Sequence, residues 1–262
     1  MFRLVLFRSV SVRSFSRQYK CTSLPRTFQP ASLDLTLGQR AYRMRAAFLP
    51  GAGGRVTDGI DALCLHAIDL EAGAVLETGC IYLIELNEAL DLPEDLSAHA
   101  NPKSSTGRLD VFARAIGEAS DRFDALPPGY SGPLWLEVAP RTFPVLVRAG
   151  DRLSQIRFRQ GPMQTVGHQT VSVDLSSGER VVGYRARRHS GLVDLRGIGG
   201  HQALDYWEPI RLTDMADGTG GLILEPEEFY ILASRESVEI PVDQAAEMAP
   251  IDTEIGEFRA HY

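Results

Sequence analysis

Residue types able to do chemistry concentrate in one stretch, Asn101 to Arg114, NPKSSTGRLDVFAR, and in the run that follows, Tyr130 to Val138, YSGPLWLEV. Between Lys103 and Arg108 the chain places two cations, the hydroxyls of Ser104 and Ser105, and Gly107. A glycine lets backbone amides join side chains around an anion, so this spacing describes a phosphate grip. In the second run Leu134 and Leu136 share one face of a strand while Trp135 and Glu137 point the other way, because side chains alternate along a strand. A carboxylate therefore emerges beside an aromatic wall, where it could move protons. Taken singly, KSSTGR also fits a polar turn and Glu137 the wet side of an edge strand. Their combination is what points to a site.

The elements that must position these groups read as all-β from Gln29 onward. Short runs at Ser32–Leu37, Val75–Leu86, Leu134–Val138, Val145–Val147, Leu153–Phe158 and Thr170–Leu175 are rich in Val, Ile, Leu and Tyr and are punctuated by Gly and Pro. One segment, Leu109–Glu118, mixes acids with Phe112, Ala113 and Ile116, and a short helix or loop is expected there, directly behind the grip.

The chain also repeats itself. Shifted by 148 residues, Leu76–Pro102 falls onto Leu224–Pro250 without a gap; shifted by 140, Pro30–Gly38 falls onto Thr170–Gly178. Two tandem copies of one β-domain are implied, residues 28–162 and 163–262, with the joint near Gly161–Gln164. The second copy reads as degenerate and truncated. Where the first has Lys103, Ser104, Ser105 and Arg108, it has Ile251, Asp252, Thr253 and Gly256, and an aspartate repels phosphate. It also stops at Tyr262, before any counterpart of the Glu137 run or of GDRLSQIRF at Gly150–Phe158.

Composition bounds the partners. A formal charge of -7 over 262 residues argues against a nucleic-acid polymer, whose binders carry a basic face, but is compatible with a small anion held by a local cation cluster. No apolar run approaches the roughly 20 residues of a membrane span. Cys21, Cys64 and Cys80 are too few and scattered for a disulfide framework or a zinc site, which makes a reducing compartment, the cytoplasm, the default. Residues 1–27 differ from all the rest, with six Arg or Lys, many Ser and no acid. They fit either an organelle transit peptide, which would make the protein mitochondrial, or a gene-model artefact replacing a genuine segment; either way they are set aside from the fold.

QPASLDLTLG, NPKSSTGRLDVFAR, RFDALPPGYSGPLWLEV and GDRLSQIRF, in this order, resemble the dCTP deaminase branch of the dUTPase superfamily in its two-domain bacterial form. The resemblance spans Gln29–Tyr262. It implies a distorted β-barrel or jelly roll, a homotrimer and sites at subunit interfaces. Carried over position by position, Glu137 matches the catalytic carboxylate, Ser104 and Arg108 the hydroxyl and cation that support it, and Arg122 and Asp124 the Arg-x-Asp pair lining the base and sugar pocket. Lys103, Ser105 and Gln155 fall on the phosphate side, and Tyr130 takes the aromatic position before the Ser-Gly turn. Two departures are Ala125–Leu126, which lengthen the link from Asp124 to Pro127–Gly129, and the missing segment that closes over the triphosphate.

The chemistry implied is hydrolysis of dCTP to dUTP and ammonia, supplying dUTP for dTMP synthesis. It needs a nucleophilic water, a proton for the ring nitrogen and a proton for the leaving amine, and one buried carboxylate tuned toward neutrality can shuttle all three. Zinc deaminases use H-x-E and P-C-x-x-C instead; neither occurs here, and His66, His99, His168, His189, His201 and His261 are dispersed as surface or structural residues. No cofactor on the protein is expected, with Mg²⁺ accompanying only the triphosphate. A dUTP pyrophosphatase, a bifunctional enzyme and a non-catalytic nucleotide-binding relative stay open as alternatives.

Overall fold

The computed structural model describes residues 2–8, 32–161, 165–176, 181–214, 220–241 and 244–250. The contrast at Ile251, Asp252, Thr253 and Gly256, and most of the expected domain joint, lie outside them. The first strands are β1 (Phe2–Arg8), β2 (Leu33–Leu35), β3 (Leu37–Met44), β4 (Cys64–Asp69), β5 (Ala74–Leu76), β6 (Ile81–Asp91) and β7 (Leu96–Pro102). Then come β8 (Val111–Gly117), β9 (Ala125–Leu126), β10 (Ser131–Pro140), β11 (Val145–Val147), β12 (Ser154–Gln160), β13 (Thr165–Val171) and β14 (Val181–Ala186). The last are β15 (Val193–Asp194), β16 (Trp207–Arg211), β17 (Thr213–Asp214), β18 (Gly220–Gly221), β19 (Tyr230–Leu232) and β20 (Gln244–Pro250). Among the described residues three short helices, α1 (Val56–Leu63), α2 (Ser104–Gly107) and α3 (Ala203–Tyr206), interrupt them. The chain is all-β, as its punctuation predicts.

The first copy is built on a sheet in the order β4-β3-β6-β10-β8 and a second in the order β2-β12-β7-β9. Between them lies the main core, containing Leu33, Leu35, Leu37, Ile84, Leu134, Leu136, Val138, Phe143 and Ile156. On the other face of the five-stranded sheet a smaller layer forms from Met44, Leu83, Ile116 and Trp135 with Val56 and Ile60 of α1. The expected helix or loop at Leu109–Glu118 is instead strand β8: Val111, Ala113 and Ala115 face the main core while Ile116 joins the layer under α1. Alternation along a strand buried on both faces overrides the helical reading of that short run.

The second copy reproduces the first through shared hydrogen bonds. Glu77 N–H donates to the Tyr82 hydroxyl at 3.0 Å, and Glu225 N–H to the Tyr230 hydroxyl at 2.9 Å. The Glu88 carboxylate accepts from the amide and hydroxyl of Thr36, and Glu236 accepts from the same groups of Ser172. These pairs uphold the 148-residue shift but correct the 140-residue one: Thr36 answers to Ser172, a shift of 136, so Asp34 corresponds to Thr170 and not to Asp174. The matching letters of the short DL stretch misled, whereas the carboxylate contacts fix the register. Burial pushes the Glu88 carboxyl up, while its half-exposed counterpart Glu236 is lowered by the Ser172 hydroxyl and amide.

Residues 2–8, within the segment that composition set aside, form the middle strand of a sheet β13-β1-β20. Phe2 pairs with Val171 and Pro250, and Leu4 with Gln169 and Met248. In the first copy Ser154 pairs with Leu35 and Pro102, and Ile156 with Leu33 and Ala100. Under the 136 and 148 shifts these are the same positions, so β1 occupies in the second copy the place of β12 in the first. The two copies dock through β15, which pairs in parallel with β11. Arg148 grips Asp194 with two bonds of 2.6 and 3.0 Å, holding its carboxyl down to about 2, and Arg196 reaches Asp151 at 2.7 Å.

Because β13 and β20 pair with β1 and not with each other, deleting residues 1–8 is expected to abolish hydrogen-exchange protection of β13 and β20 while leaving that of β6, β8 and β10 intact. Unchanged protection in β13 and β20 would show that β1 contributes nothing to the second copy.

Candidate active site

The grip forms where β7 ends. Pro102 ends the strand, the Lys103 amide donates to the Leu153 carbonyl at 2.9 Å, and α2 makes a single turn whose buried Thr106 ties its hydroxyl to the same carbonyl at 2.7 Å. That anchoring leaves Ser104, Ser105 and Arg108 exposed on one surface, with Arg108 Nη2 donating to Ser104 Oγ at 3.4 Å. Gly107 is buried and its amide donates to the Lys103 carbonyl at 3.0 Å, so it closes the turn and does not face an anion as expected. The Lys103 ammonium lies 2.6 Å from Asp34, a carboxylate only 1% exposed that also receives Arg152 at 3.4 Å. Gln155 stands opposite Asp34 in the sheet and its Oε1 accepts from the Ser32 hydroxyl at 2.8 Å. Asp34, invisible as a site residue from composition, is thus the carboxylate that sets the grip's charge.

Glu137 sits in mid-strand on β10, opposite Leu83 of β6 and Arg114 of β8, and is 5% exposed. As the alternation requires, it shares its face with Trp135, which packs into the layer under α1 and lies tilted against Tyr42 with ring centroids 6.3 Å apart. Among the described residues the Trp135 indole N–H has no hydrogen-bond partner. Arg114 meets the buried carboxylate: its Nε donates to Oε1 at 3.1 Å and its Nη2 donates to the same oxygen. Sequence reasoning missed Arg114. Its signal was available, since a strand reading of residues 111–117 puts Arg114 opposite Glu137 once the two strands are paired.

The Arg-x-Asp pair falls on the turn after β8. Arg122 is exposed. Asp124 adopts φ 63, a left-handed conformation that Asp tolerates. Its Oδ1 accepts the Ala115 amide at 2.7 Å and its carbonyl accepts the Ala100 amide at 2.8 Å, so it bolts β8 to β7. The additional Ala125–Leu126 form β9, which pairs with Ala98 and His99 of β7. Tyr130 is buried; its hydroxyl accepts the Glu118 amide at 3.1 Å and donates to the Pro133 carbonyl, and burial pushes the phenol up to about 12. A Cβ at Gly117 would meet the Tyr130 ring at 2.8 Å, which is why this strand ends in glycine. Arg122 and Tyr130 line a cleft of about 680 Å³ with Ser97, His99, Glu118 and Arg159.

One chain therefore brings Lys103, Ser104, Ser105, Gly107, Arg108 and Gln155 together at the grip, sets Arg122 and Tyr130 on the cleft with Asp124 in the turn between them, and places Glu137 apart from both, against Arg114. No hydrogen bond or ion pair joins Glu137 to Ser104 or Arg108 among the described residues. Nor, among them, is any group of three or more His, Cys, Asp or Glu side chains arranged to hold a metal ion. No described helix is long and apolar enough to cross a membrane.

This geometry has relatives. The family described as 2'-deoxycytidine 5'-triphosphate deaminase matches over residues 9–162 with its N-terminal domain and over residues 155–262 with its C-terminal domain. The chain belongs to the dCTP deaminase family. Within it, the crystal structure of 2'-deoxycytidine 5'-triphosphate deaminase from Agrobacterium tumefaciens superimposes with a TM-score of 0.79 at 43% identity, covering 91% of this chain and 78% of that one. The fold is thus the dUTPase-like β fold. A dCTP deaminase of Haloarcula marismortui is 32% identical over 134 residues, half of this chain and 66% of that protein's length. A dCTP deaminase, dUMP-forming, of Halobacterium salinarum is 30% identical over 135 residues, with the same coverage.

Since the hydroxyl of the buried Tyr130 makes two hydrogen bonds, with the Glu118 amide and the Pro133 carbonyl, each contributing about 0.5–1.5 kcal/mol, Tyr130→Phe is expected to lower stability by about 1–3 kcal/mol, read by denaturant unfolding. Unchanged stability would mean that water replaces the hydroxyl at both groups.

Proposed function

We propose that the protein hydrolyses dCTP to dUTP and ammonia, with Glu137 as general acid and base, supplying dUTP for dTMP synthesis in the cytoplasm. The observation that carries this reading is a carboxylate 5% exposed, in mid-strand and against an apolar wall, within the residues matched by the deaminase N-terminal domain. Glu137 takes a proton from water as its oxygen attacks C4 of the base and delivers that proton to N3. It then moves the proton of the new hydroxyl to the amino group, ammonia leaves, the C4 carbonyl forms, and the carboxylate is restored. Ser104 and Arg108 support this exchange, Lys103, Ser105 and Gln155 bind the triphosphate with its accompanying Mg²⁺, and Arg122 binds base or sugar. Gly107, Asp124 and Tyr130 act by shaping the grip and the cleft.

A homotrimer with sites between subunits accounts for the separation seen in one chain, since the exposed Ser104 and Arg108 can face Glu137 of a neighbouring copy. The dUMP-forming name of the Halobacterium relative favours a second reading in which the triphosphate is also cleaved.

Ammonia release from dCTP, with the nucleotide product resolved, decides between them: dUTP as sole nucleotide supports simple deamination, dUMP with pyrophosphate the coupled reaction, and no ammonia overturns both. Glu137→Gln is expected to lower ammonia release at least ~10²–10⁴-fold with dCTP binding retained. A strong zinc chelator is expected to leave the rate unchanged, and stoichiometric zinc whose removal abolishes activity would contradict the metal-free assignment. Lys103→Ala is expected to weaken dCTP binding by about 1.5–3 kcal/mol, the value of a hydrogen bond to a charged group, in calorimetry showing one nucleotide per chain.

A further inference from the structure

Glu137 is held asymmetrically. Both Nε and Nη2 of Arg114 donate to Oε1, and among the described residues Oε2 accepts from nothing. A guanidinium can grip a carboxylate through both oxygens at once, and that arrangement would occupy the whole group. Here it takes one oxygen and leaves the other open. The opposite side of the guanidinium lies on the Phe123 ring, with Cζ 3.8 Å from the centroid. Phe123 stands between Arg122 and Asp124. Asp124 is fastened to Ala115, the residue after Arg114, by its carboxylate at 2.7 Å and by its own amide donating to the Ala115 carbonyl at 2.8 Å. The turn carrying the Arg-x-Asp pair, the guanidinium and the buried carboxylate thus form one contiguous stack.

Resting on the deaminase reading, we propose that Arg114 is a positioning residue for the acid/base: it pins Oε1 so that Oε2 is the atom that exchanges protons, and Phe123 couples the Arg122–Asp124 turn to that alignment. An exposed surface ion pair would carry no such role, because water would orient and stabilise the carboxylate by itself. Glu137 has lost that water, so its orientation depends on Arg114, the cation in contact with it among the described residues. Other ionisable groups on this side of the surrounding elements are Arg40 and Tyr42 on β3, Glu85 on β6, Asp58 and Asp61 on α1, and Glu118, Asp121, Arg122 and Asp124 on the turn after β8, while Arg43 of β3 lies over the Tyr82 ring on the other side. None hydrogen bonds or ion-pairs with Glu137 among the described residues.

The test uses the full chain as wild type, Arg114→Gln, Arg114→Lys and Phe123→Leu. It reads kcat and KM for ammonia release and, independently of activity, the ¹³C chemical shift of the Glu137 side-chain carboxyl at one fixed pH, assigned through Glu137→Gln. Losing both N–H donors is expected to displace that resonance in Arg114→Gln. Misalignment of the acid/base is expected to lower kcat ~10²-fold, with KM changed only a few-fold. Arg114→Lys is expected to return only part of kcat, since an ammonium lacks the planar two-donor fork. Phe123→Leu is expected to lower kcat with the same sign and less loss. An unmoved kcat in folded Arg114→Gln would overturn the proposal; should that variant fail to fold, an unmoved kcat in Phe123→Leu together with full activity in Arg114→Lys would do so. If wild type releases no ammonia, the deaminase reading falls. The carboxyl resonance then still decides whether Arg114 holds Glu137: a displaced resonance in Arg114→Gln upholds it and an unmoved one overturns it.

Discussion

The constraint on which the site depends is that β10 is covered on both faces. Lying between β6 and β8, it sends Leu134, Leu136 and Val138 into the main core and Trp135 and Glu137 into the layer beneath α1. A carboxylate on such a strand loses its hydration, which costs several kcal/mol unless a charge and hydrogen bonds replace the water. Arg114 supplies both from the next strand, at the directly opposed position. The pairing register of β8 and β10 is therefore part of the site: a slip by one residue would face Glu137 with Ala113 or Ala115 and leave the charge unpaired.

A second buried carboxylate performs the corresponding duty for the grip. Asp34, on β2, is nearly inaccessible and meets Lys103 from the end of β7 and Arg152 from the approach to β12. Three separate pieces of chain are drawn to one negative charge, which fixes where α2 begins and hence where Ser104, Ser105 and Arg108 are displayed. With two cations on one anion, the cluster keeps a net positive charge facing solvent, the sign that a polyphosphate requires.

Much of this was legible in the residues. The alternation around Glu137, the β character of the chain and the 148-residue repeat all follow from local patterns that the fold respects. What escaped depended on pairing between distant segments. Residues 109–118 carry too short a run for periodicity to separate helix from strand, and burial on two faces decided for strand. Gly107 reads as an anion-binding glycine, but its amide is consumed in closing the turn. Arg114 and Asp34 look like ordinary strand charges until β8 meets β10 and β2 meets β12. The 140-residue shift rested on a few letters of a common dipeptide pattern, and only Glu88 on Thr36 and Glu236 on Ser172 reveal the register of 136.

That corrected register sharpens the contrast between the copies. Under it, Asp34 corresponds to Thr170 and Lys103 to Ile251, so the buried anion and the cation it holds are replaced together by neutral residues. Losing only the lysine would have left an aspartate desolvated with one weaker partner; losing only the aspartate would have left an ammonium unpaired beside the sheet. Meanwhile the Tyr82 and Glu88 contacts, which hold strands together and carry no ligand-facing charge, persist as Tyr230 and Glu236. The second copy has thus kept the hydrogen bonds that make the sheet and shed the charges that make the grip. The sheet contacts of the first copy accordingly do not depend on the Asp34–Lys103 pair, since the same hydrogen bonds stand where both residues are replaced.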